Sequence, residues 1–325
     1  MNKMNKMNKI IDFIKLVRYK NLVIIILVQS ATKFFLINPY VKDPTLSNLE
    51  FIIFLFSLLT IVAGGYIIND IYDIENDKIN KPEKRIIDLK ISKSFALKTY
   101  YILNFIGMSS SFYLSFIINK IWYCLIFLFF IYSLWKYSKN YKSSFILGNL
   151  QVAFLTSLSI FTLAIYDIVS KGNLISNGTK MVFIIIIIYC GFSFITTLMR
   201  EILKDIEDIE GDRRNDANTL AIKYDINKTK KIVSLLTWIP IVGIGYFQYF
   251  QYSVLNTEFS VPLSYWGVNI YSVSHMFVLQ LLLFFLLYKI YFAKSKSDFH
   301  YTSALCKIIM LVGILAIPLN YFLHI

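Results

Sequence analysis

Long runs of apolar residues alternate with short polar segments from about residue 21 onward. A helix needs about 20 apolar residues to cross a bilayer, so runs of this length predict membrane-spanning helices. We therefore predict an all-α, polytopic membrane protein with nine transmembrane helices. The nine predicted spans lie at 21–38, 51–71, 95–118, 121–137, 145–168, 181–203, 231–252, 268–292 and 305–323.

The basic residues give these spans a direction across the membrane. Cytoplasmic loops of membrane proteins carry an excess of Lys and Arg, and this chain has 33 such residues. If the N-terminus is cytoplasmic, all but a few of them fall on the cytoplasmic side, and nine spans place the C-terminus outside. The exceptions are Lys33, Lys42, Lys120, Lys171 and Lys180.

Composition agrees with an integral cell membrane protein. Hydrophobic residues are 57% of the chain and charged residues 16%, and the mean hydropathy is +0.59, whereas a soluble domain is less apolar. The net charge of +13 is spread over many short loops, which favours contact with anionic membrane lipids over nucleic-acid binding. The three cysteines and three histidines are scattered, without disulfide or metal-site spacing.

The domain organisation is simple. Residues 1–20 begin with Met-Asn-Lys repeated three times, and we expect a basic, disordered cytoplasmic tail. Residues 21–325 form a single predicted transmembrane domain. The spans at 51–71 and 181–203 end in matching acidic segments, which indicates two pseudo-repeated four-helix units followed by a ninth helix.

These acidic segments contain the candidate metal-binding residues. Each contains aspartates at i, i+3 and i+7, which share one face of a helix and repel each other unless a cation is near. Mg²⁺ is held by a few carboxylates and usually also by substrate phosphates. One such segment could be a solvated helix end, but two of equal spacing favour a metal site. The first aspartate set is Asp70, Asp73 and Asp77, and the second is Asp205, Asp208 and Asp212.

Basic residues follow each aspartate set. Lys81, Lys84 and Arg85 come after the first set, and Arg213 and Arg214 come after Asp212. A diphosphate needs such cations, because its charge exceeds what the metal ions neutralise. Alternatively, these residues hold the loops on the cytoplasmic side.

The motifs resemble a known family. Asn69 followed by the first aspartate set is similar to the first signature of the UbiA superfamily of intramembrane prenyltransferases, and the second set resembles its second signature. Asn80-Lys81-Pro82 resembles the Asn-x-Pro turn of the family. Lys84-Arg85-Ile86 departs from the usual Arg-Pro-Ile. The segment 200–212, with Gly148-Asn149 in the fifth span, is most like the geranylgeranylglycerol-phosphate geranylgeranyltransferase branch.

The resemblance implies Mg²⁺-dependent transfer of an isoprenyl group from its diphosphate to a glycerol-phosphate-type lipid. It implies two Mg²⁺ ions, one on each aspartate set, with these carboxylates catalytic. Tyr132 and Lys136 resemble a Tyr-Ser…Lys element of the family, although an interfacial anchor fits them equally. Arg18 fits an anchor better than a catalytic role. The implied substrate-binding residues are Asn69, Lys81, Lys84, Arg85, Tyr132, Lys136, Lys204, Asn21 and Asn149.

Two other functions fit parts of the pattern. An aromatic acceptor, as in quinone or haem biosynthesis, would use the same metal site. A cation transporter or channel would also place carboxylates near membrane helices. Such a pathway needs polar residues at mid-membrane depth, whereas both aspartate sets lie at predicted helix ends, which favours the enzyme.

Overall fold

The computed structural model describes residues 3–80, 82–83, 85–172, 176–214, 216–250 and 270–323. Within these ranges the regular structure is helical, apart from one isolated bridge between Ile87 and Ile91. The main helices are α1 (Lys3–Leu16), α2 (Tyr19–Thr32), α3 (Asn48–Tyr72), α4 (Ile74–Asn80), α5 (Lys93–Ile117), α6 (Cys124–Lys136), α7 (Leu147–Asp167), α8 (Asn177–Glu207), α9 (Ile209–Arg214), α10 (Leu220–Phe250), α11 (Ile270–Phe292) and α12 (Lys296–Phe322).

Short irregular helices extend some of these. A π-helical turn, Lys33–Ile37, and the segment Asn38–Tyr40 continue α2. A 3₁₀ turn, Ile121–Tyr123, leads into α6, and a second π-helical turn, Tyr137–Tyr141, follows it. The long helix α10 is broken at Asp225, whose backbone has φ 68° and ψ 166°. Asp225 Oδ1 accepts a hydrogen bond from the Lys228 N–H at 2.9 Å, so it caps the second part of α10.

Eight helices within the described ranges are long and apolar enough to cross a membrane. They correspond to eight of the nine predicted spans, and they confirm the all-helical membrane architecture. The remaining prediction, 95–118, falls on α5, which has 25 residues but is interrupted by lysines at its start and serines near its end. The eight are Tyr19–Tyr40, Asn48–Tyr72, Ile121–Tyr141, Leu147–Lys171, Asn177–Glu207, Leu220–Tyr249, Ile270–Phe292 and Lys296–Phe322.

The N-terminal segment differs from its prediction. Residues 3–16 form helix α1, so the expectation of a disordered tail is wrong there. The end of this helix is held by the protein, because Leu16 and Val17 are buried in a hydrophobic core. Local polarity alone did not reveal that core contact, since it comes from residues far along the chain.

The first compact unit contains Met1–Leu27, Thr45–Gln151 and Glu210–Asn218. In it α3 packs against α5 and α6. A Cβ at Gly107 would lie 2.6 Å from Thr60 Oγ1 and 2.7 Å from Ile61 Cγ1, so glycine is needed for α5 to approach α3 this closely. The close approach aligns α3, which ends at the first aspartate set.

The second compact unit contains Val28–Pro44, Val152–Ile209 and Thr219–Ile325. Here α8 packs against α10 and α12, and α11 packs against both of them. An ion pair lies inside this unit: Lys33 Nζ is 2.6 Å from Asp167 Oδ2, and the two side chains are 1% and 0% exposed. Gln29, one turn before Lys33, donates a hydrogen bond to the Ser159 carbonyl at 2.9 Å.

Both aspartate sets cross a helix break. Asp73 has φ −85° and ψ 1° at the end of α3, and Asp208 has φ −97° and ψ 8° at the end of α8. These are values of the sparsely populated bridge region, where many active-site residues occur. The sequence predicted one continuous helix for each set. The structure instead interrupts the helix for one residue at the middle aspartate of each set, at equivalent positions.

Candidate active site

The first residue of the first aspartate set, Asp70, forms an ion pair with an arginine in the turn between α1 and α2. Arg18 Nη2 lies 2.6 Å from Asp70 Oδ1. The guanidinium also lies 5.0 Å from the ring centroid of Tyr66, one helical turn before Asp70. Arg18 connects α1 and α2 and has φ 52°, a left-handed conformation that is unfavourable for a non-glycine residue. The strained junction therefore places the guanidinium that contacts Asp70.

Asp73 is the buried member of the set, with 7% of its side chain exposed. Its Oδ2 accepts hydrogen bonds from Asn69 Nδ2 at 2.6 Å and from Lys142 Nζ. Lys142 follows the second π-helical turn. An amide and an ammonium therefore converge on one carboxylate oxygen, and a buried negative charge is compensated as burial requires.

The position of Lys142 depends on a close backbone contact. A Cβ at Gly148 would lie 2.5 Å from the Tyr141 carbonyl oxygen, so only glycine allows the start of α7 to pass this close. The Asn218 N–H also donates to the Ser143 carbonyl at 2.8 Å, which ties the segment after α9 to the residue after Lys142. Together these contacts hold the lysine on Asp73.

The positive charges of Arg18 and Lys142 are stabilised by the neighbouring carboxylates. Burial alone would lower the pKa of Arg18, but the charge of Asp70 and other neighbours outweighs burial and raises the pKa above its ordinary value. Burial likewise opposes the charge of Lys142, and Asp73 and Asp77 more than compensate, so its pKa is raised. Both side chains are therefore positive at neutral pH.

Arg85 is a further candidate for anion binding. Its Nε and Nη1 atoms are buried, and neither has a hydrogen-bond partner within the part of the chain that the structure describes. Leaving two buried guanidinium nitrogens without acceptors is costly, and an incoming phosphate oxygen would satisfy them. Two other residues predicted in this loop, Lys81 and Lys84, lie outside the described residues.

The second aspartate set is distributed over α8 and α9. Asp205 and Asp208 are half-buried near the end of α8, and Asp212 is half-buried on α9. Lys204 Nζ lies 3.4 Å from Glu201 Oε2, and Glu201 is also paired with Arg200. Lys204 is thus paired with a buried glutamate that is not among the predicted site residues.

The remaining predicted residues lie in mixed surroundings. Tyr132 is 55% exposed, and its ring centroid is 6.1 Å from that of Trp135. Lys136 Nζ lies 5.7 Å from the Tyr141 ring centroid. Asn149 is buried with 6% exposure, and the Asn21 N–H donates to the Arg18 carbonyl at 2.8 Å. An exposed tyrosine favours the interfacial-anchor interpretation for Tyr132.

Two residues at the site were undervalued from sequence. The sequence favours an anchoring role for Arg18, but its side chain contacts Asp70. A second Tyr-Ser pair, Tyr137-Ser138, precedes Lys142, with five residues from tyrosine to lysine where Tyr132 and Lys136 are four apart. That second copy of the pattern was the available signal, and choosing between the copies required the tertiary contact with Asp73.

The donor set suits a hard divalent cation. Carboxylate and amide oxygens are the ligands that Mg²⁺ prefers, and Asp70 and Asp73 already accept positively charged partners. Within the described ranges, no group of three or more His, Cys, Asp and Glu side chains is arranged to hold a metal. Mg²⁺ is usually bound by one or two carboxylates, with substrate oxygens and water completing its coordination.

Comparison with known proteins identifies the chain's relatives. A family model described as the UbiA prenyltransferase family matches residues 34–308. The digeranylgeranylglyceryl phosphate synthase of Sulfolobus acidocaldarius is 35% identical over 228 residues, which are 70% of each chain. That of Methanosphaera stadtmanae is 32% identical over 305 residues, covering 87% of this chain and 99% of the relative.

Solved structures agree with the architecture. A digeranylgeranylglyceryl phosphate synthase structure has a TM-score of 0.64 at 24% identity and covers 97% of this chain and 99% of its own. A UbiA homolog from Archaeoglobus fulgidus bound to GPP and Mg²⁺ has a TM-score of 0.55 at 13% identity, covering 94% and 99%. These likenesses establish the fold of the chain.

Proposed function

The chain belongs to the UbiA prenyltransferase family, and from this premise we propose that it transfers a geranylgeranyl group from its diphosphate to a glycerol-phosphate lipid. The family assignment makes it an integral membrane prenyltransferase. The acceptor and the prenyl chain are proposed from the names of its relatives, which are digeranylgeranylglyceryl phosphate synthases from several archaea.

The observation that carries the chemistry is the contact of two cations with the first aspartate set. Arg18 and Lys142 lie on Asp70 and Asp73, and both keep their positive charge. A diphosphate leaving group is strongly anionic, and its binding requires fixed cations of this kind. Arg85, with buried unsatisfied nitrogens, supplies a third.

In the proposed reaction, the bond between C1 of the prenyl chain and the diphosphate oxygen breaks, and the electron pair leaves with diphosphate. A new C–O bond forms between C1 and the oxygen of the acceptor hydroxyl, whose proton passes to solvent water. Arg18, Lys142 and Arg85 bind and orient the leaving diphosphate, and Asn69 fixes the Asp73 carboxylate through its 2.6 Å hydrogen bond.

Mg²⁺, when bound, stabilises the negative charge that develops on the diphosphate. We propose that the carboxylates of the first and second aspartate sets hold it, with one ion for each set. Two separate sets, each broken at its middle aspartate, support this number. Lys204 adds positive charge beside Asp205, where a lysine cannot itself ligate a metal.

The proposed topology has nine spans, which are the eight apolar helices and α5. The N-terminus and the active site lie on the cytoplasmic side. The distribution of Lys and Arg supports this orientation. The packing of α5 along α3 supports its crossing, because α3 is itself long and apolar enough to span the membrane.

A panel of acceptors tests the function. Purified protein in lipid nanodiscs would receive labelled geranylgeranyl diphosphate, Mg²⁺ and one acceptor at a time. We expect an ether product with geranylgeranylglyceryl phosphate and none with an aromatic acid. Product formed only with the aromatic acceptor would reject the lipid assignment, and release of diphosphate without any transfer product would reject both acceptors.

A further inference from the structure

One side of the N-terminal helix α1 packs against the protein. Leu16 and Val17 are buried in the core of the first unit, and Phe13 packs against that core. Asp12 Oδ1 accepts a hydrogen bond from Lys90 Nζ at 3.0 Å. An apolar contact and an ion pair therefore fix the rotation of α1 about its own axis.

This rotation leaves a second apolar side facing outward. Ile10, Ile11 and Ile14 are 53%, 44% and 40% exposed. Their spacing of i, i+1 and i+4 groups them on one face of the helix. Adjacent exposed isoleucines are unfavourable in water and mark an interaction surface. We call these three residues the isoleucine face.

The isoleucine face is followed in the chain by a helix that also has an exposed apolar side. Helix α2, the first membrane-crossing helix, begins two residues after Val17. Its outward stripe of Tyr19, Val23 and Leu27 is 45%, 46% and 52% exposed, as expected for side chains in contact with lipid. Because Tyr19–Tyr40 is long and apolar enough to cross the membrane, the end of α1 that joins it lies near one membrane surface.

The charges around this face indicate the kind of lipid. Lys15, which follows Ile14 on α1, and Lys20, on the first turn of α2, are both exposed. A surface helix that combines large apolar residues with lysines is typical of helices that lie in the headgroup layer. Lysines in that layer are attracted to anionic headgroups.

We propose that α1 lies in the headgroup layer of the leaflet that adjoins the first aspartate set. The isoleucine face reaches the acyl boundary, and Lys15 binds the phosphates of anionic lipids. The assignment of this leaflet to the cytoplasm rests on the proposed function, whereas the lipid contact does not. Because α1 leads directly into Arg18, the contact also steadies the guanidinium that lies on Asp70.

Spin labelling of the full-length protein tests this contact. A nitroxide on Ile14→Cys would be compared with one on Glu75→Cys, because Glu75 lies on α4 with 71% of its side chain exposed. Accessibility to O₂, which concentrates among acyl chains, is measured against a nickel chelate that stays in water. Unsubstituted protein reports any label on the buried Cys124, Cys190 and Cys306.

We expect the label at position 14 to be more accessible to O₂ than to the nickel chelate, and the label at position 75 to be more accessible to the chelate. In nanodiscs containing phosphatidylglycerol, adding Lys15→Gln to Ile14→Cys should shift the label about fivefold toward water, the effect of one lysine near an anionic surface. The shift should vanish in phosphatidylcholine alone.

Equal nickel access at positions 14 and 75 in both lipid mixtures would overturn the proposal. A second outcome would also overturn it. If the label at position 14 were protected from nickel only in discs that hold two copies of the protein, with spin–spin broadening, a second copy rather than lipid would cover the isoleucine face. Loss of the Lys15→Gln effect would remove the anionic lipid from the proposal. Prenyl transfer is not measured, so none of these results bears on the proposed reaction.

Discussion

Lys142 donates a hydrogen bond to Asp73, although 69 positions separate the two residues in the chain. The lysine is carried by the segment between α6 and α7, and the aspartate ends α3. Their contact converts an acidic motif at a helix end into a site of mixed charge. Such a site places carboxylate ligands for a divalent ion beside a cation that can bind an anion directly.

The first prediction concerns this lysine. We expect Lys142→Met to slow diphosphate release from geranylgeranyl diphosphate by about 10²–10³-fold, the usual effect of removing one group that stabilises developing charge. The matched control is Lys139→Met, on the π-helical turn that precedes Lys142, whose ammonium lies 4.9 Å from the Trp135 ring centroid. Comparable losses in both variants would show that general positive charge, rather than the Asp73 contact, matters.

The second prediction concerns the metal. Asp73→Asn and Asp208→Asn each remove a negative charge from one aspartate set, so we expect both to abolish Mg²⁺-dependent prenyl transfer while the protein still inserts into membranes. Asp43→Asn is the control, because Asp43 is exposed and pairs with Lys171 at 3.0 Å. Chelation by EDTA should stop the reaction, and added Mg²⁺ should restore it.

Activity in titrations of Mg²⁺ decides this prediction. Full activity of both aspartate variants in purified enzyme would rule out the two metal sites. Activity lost in only one variant would leave a single essential metal site. A requirement for much higher Mg²⁺ would indicate a ligand that is useful but replaceable.

The third prediction concerns the buried pair of Lys33 and Asp167. Removing one member of a buried ion pair leaves an uncompensated charge and typically costs about 3–5 kcal/mol. We therefore expect Lys33→Met and Asp167→Leu each to lower the free energy of unfolding by that amount, and the double variant to recover much of it. Reversible unfolding in mixed detergent micelles measures these differences.

An exposed pair gives the control for this cycle. Lys171 and Asp43 are 41% and 73% exposed, and exposed pairs contribute about 0–1 kcal/mol. Lys171→Met should therefore change stability by no more than that. If the single variants of the buried pair were equally mild, the two charges would have to be neutral or solvated in the membrane.

The fourth prediction concerns α5, the helix that is less apolar than the other proposed spans. If it crosses the membrane, Leu89 before it and Lys120 after it lie on opposite sides. Cysteine at each position should react with a membrane-impermeant maleimide from opposite faces of oriented vesicles. Reaction of both positions from the same face would exclude the crossing and reduce the count to eight.

The extent of sequence-based prediction can be judged from particular residues. The eight apolar helices followed from run length alone, because transfer of apolar side chains into lipid is a local, additive property. The spacing of Asp70, Asp73 and Asp77 likewise indicated a cation site without any tertiary information. The interruption of the helix at Asp73 does not follow from the sequence. It changes the backbone angles of one residue, while the i to i−4 hydrogen bonds on both sides continue as in a helix.

The sequence by itself therefore determined the membrane-spanning helices, the two aspartate sets and the family. The tertiary structure alone decided which cations meet those carboxylates and that Lys33 finds Asp167 inside the protein. The reason is that hydropathy and helical spacing act between neighbouring residues. The placement of Lys142 depends instead on Gly148 passing close to the Tyr141 carbonyl, and that of Arg18 on a left-handed turn between two helices.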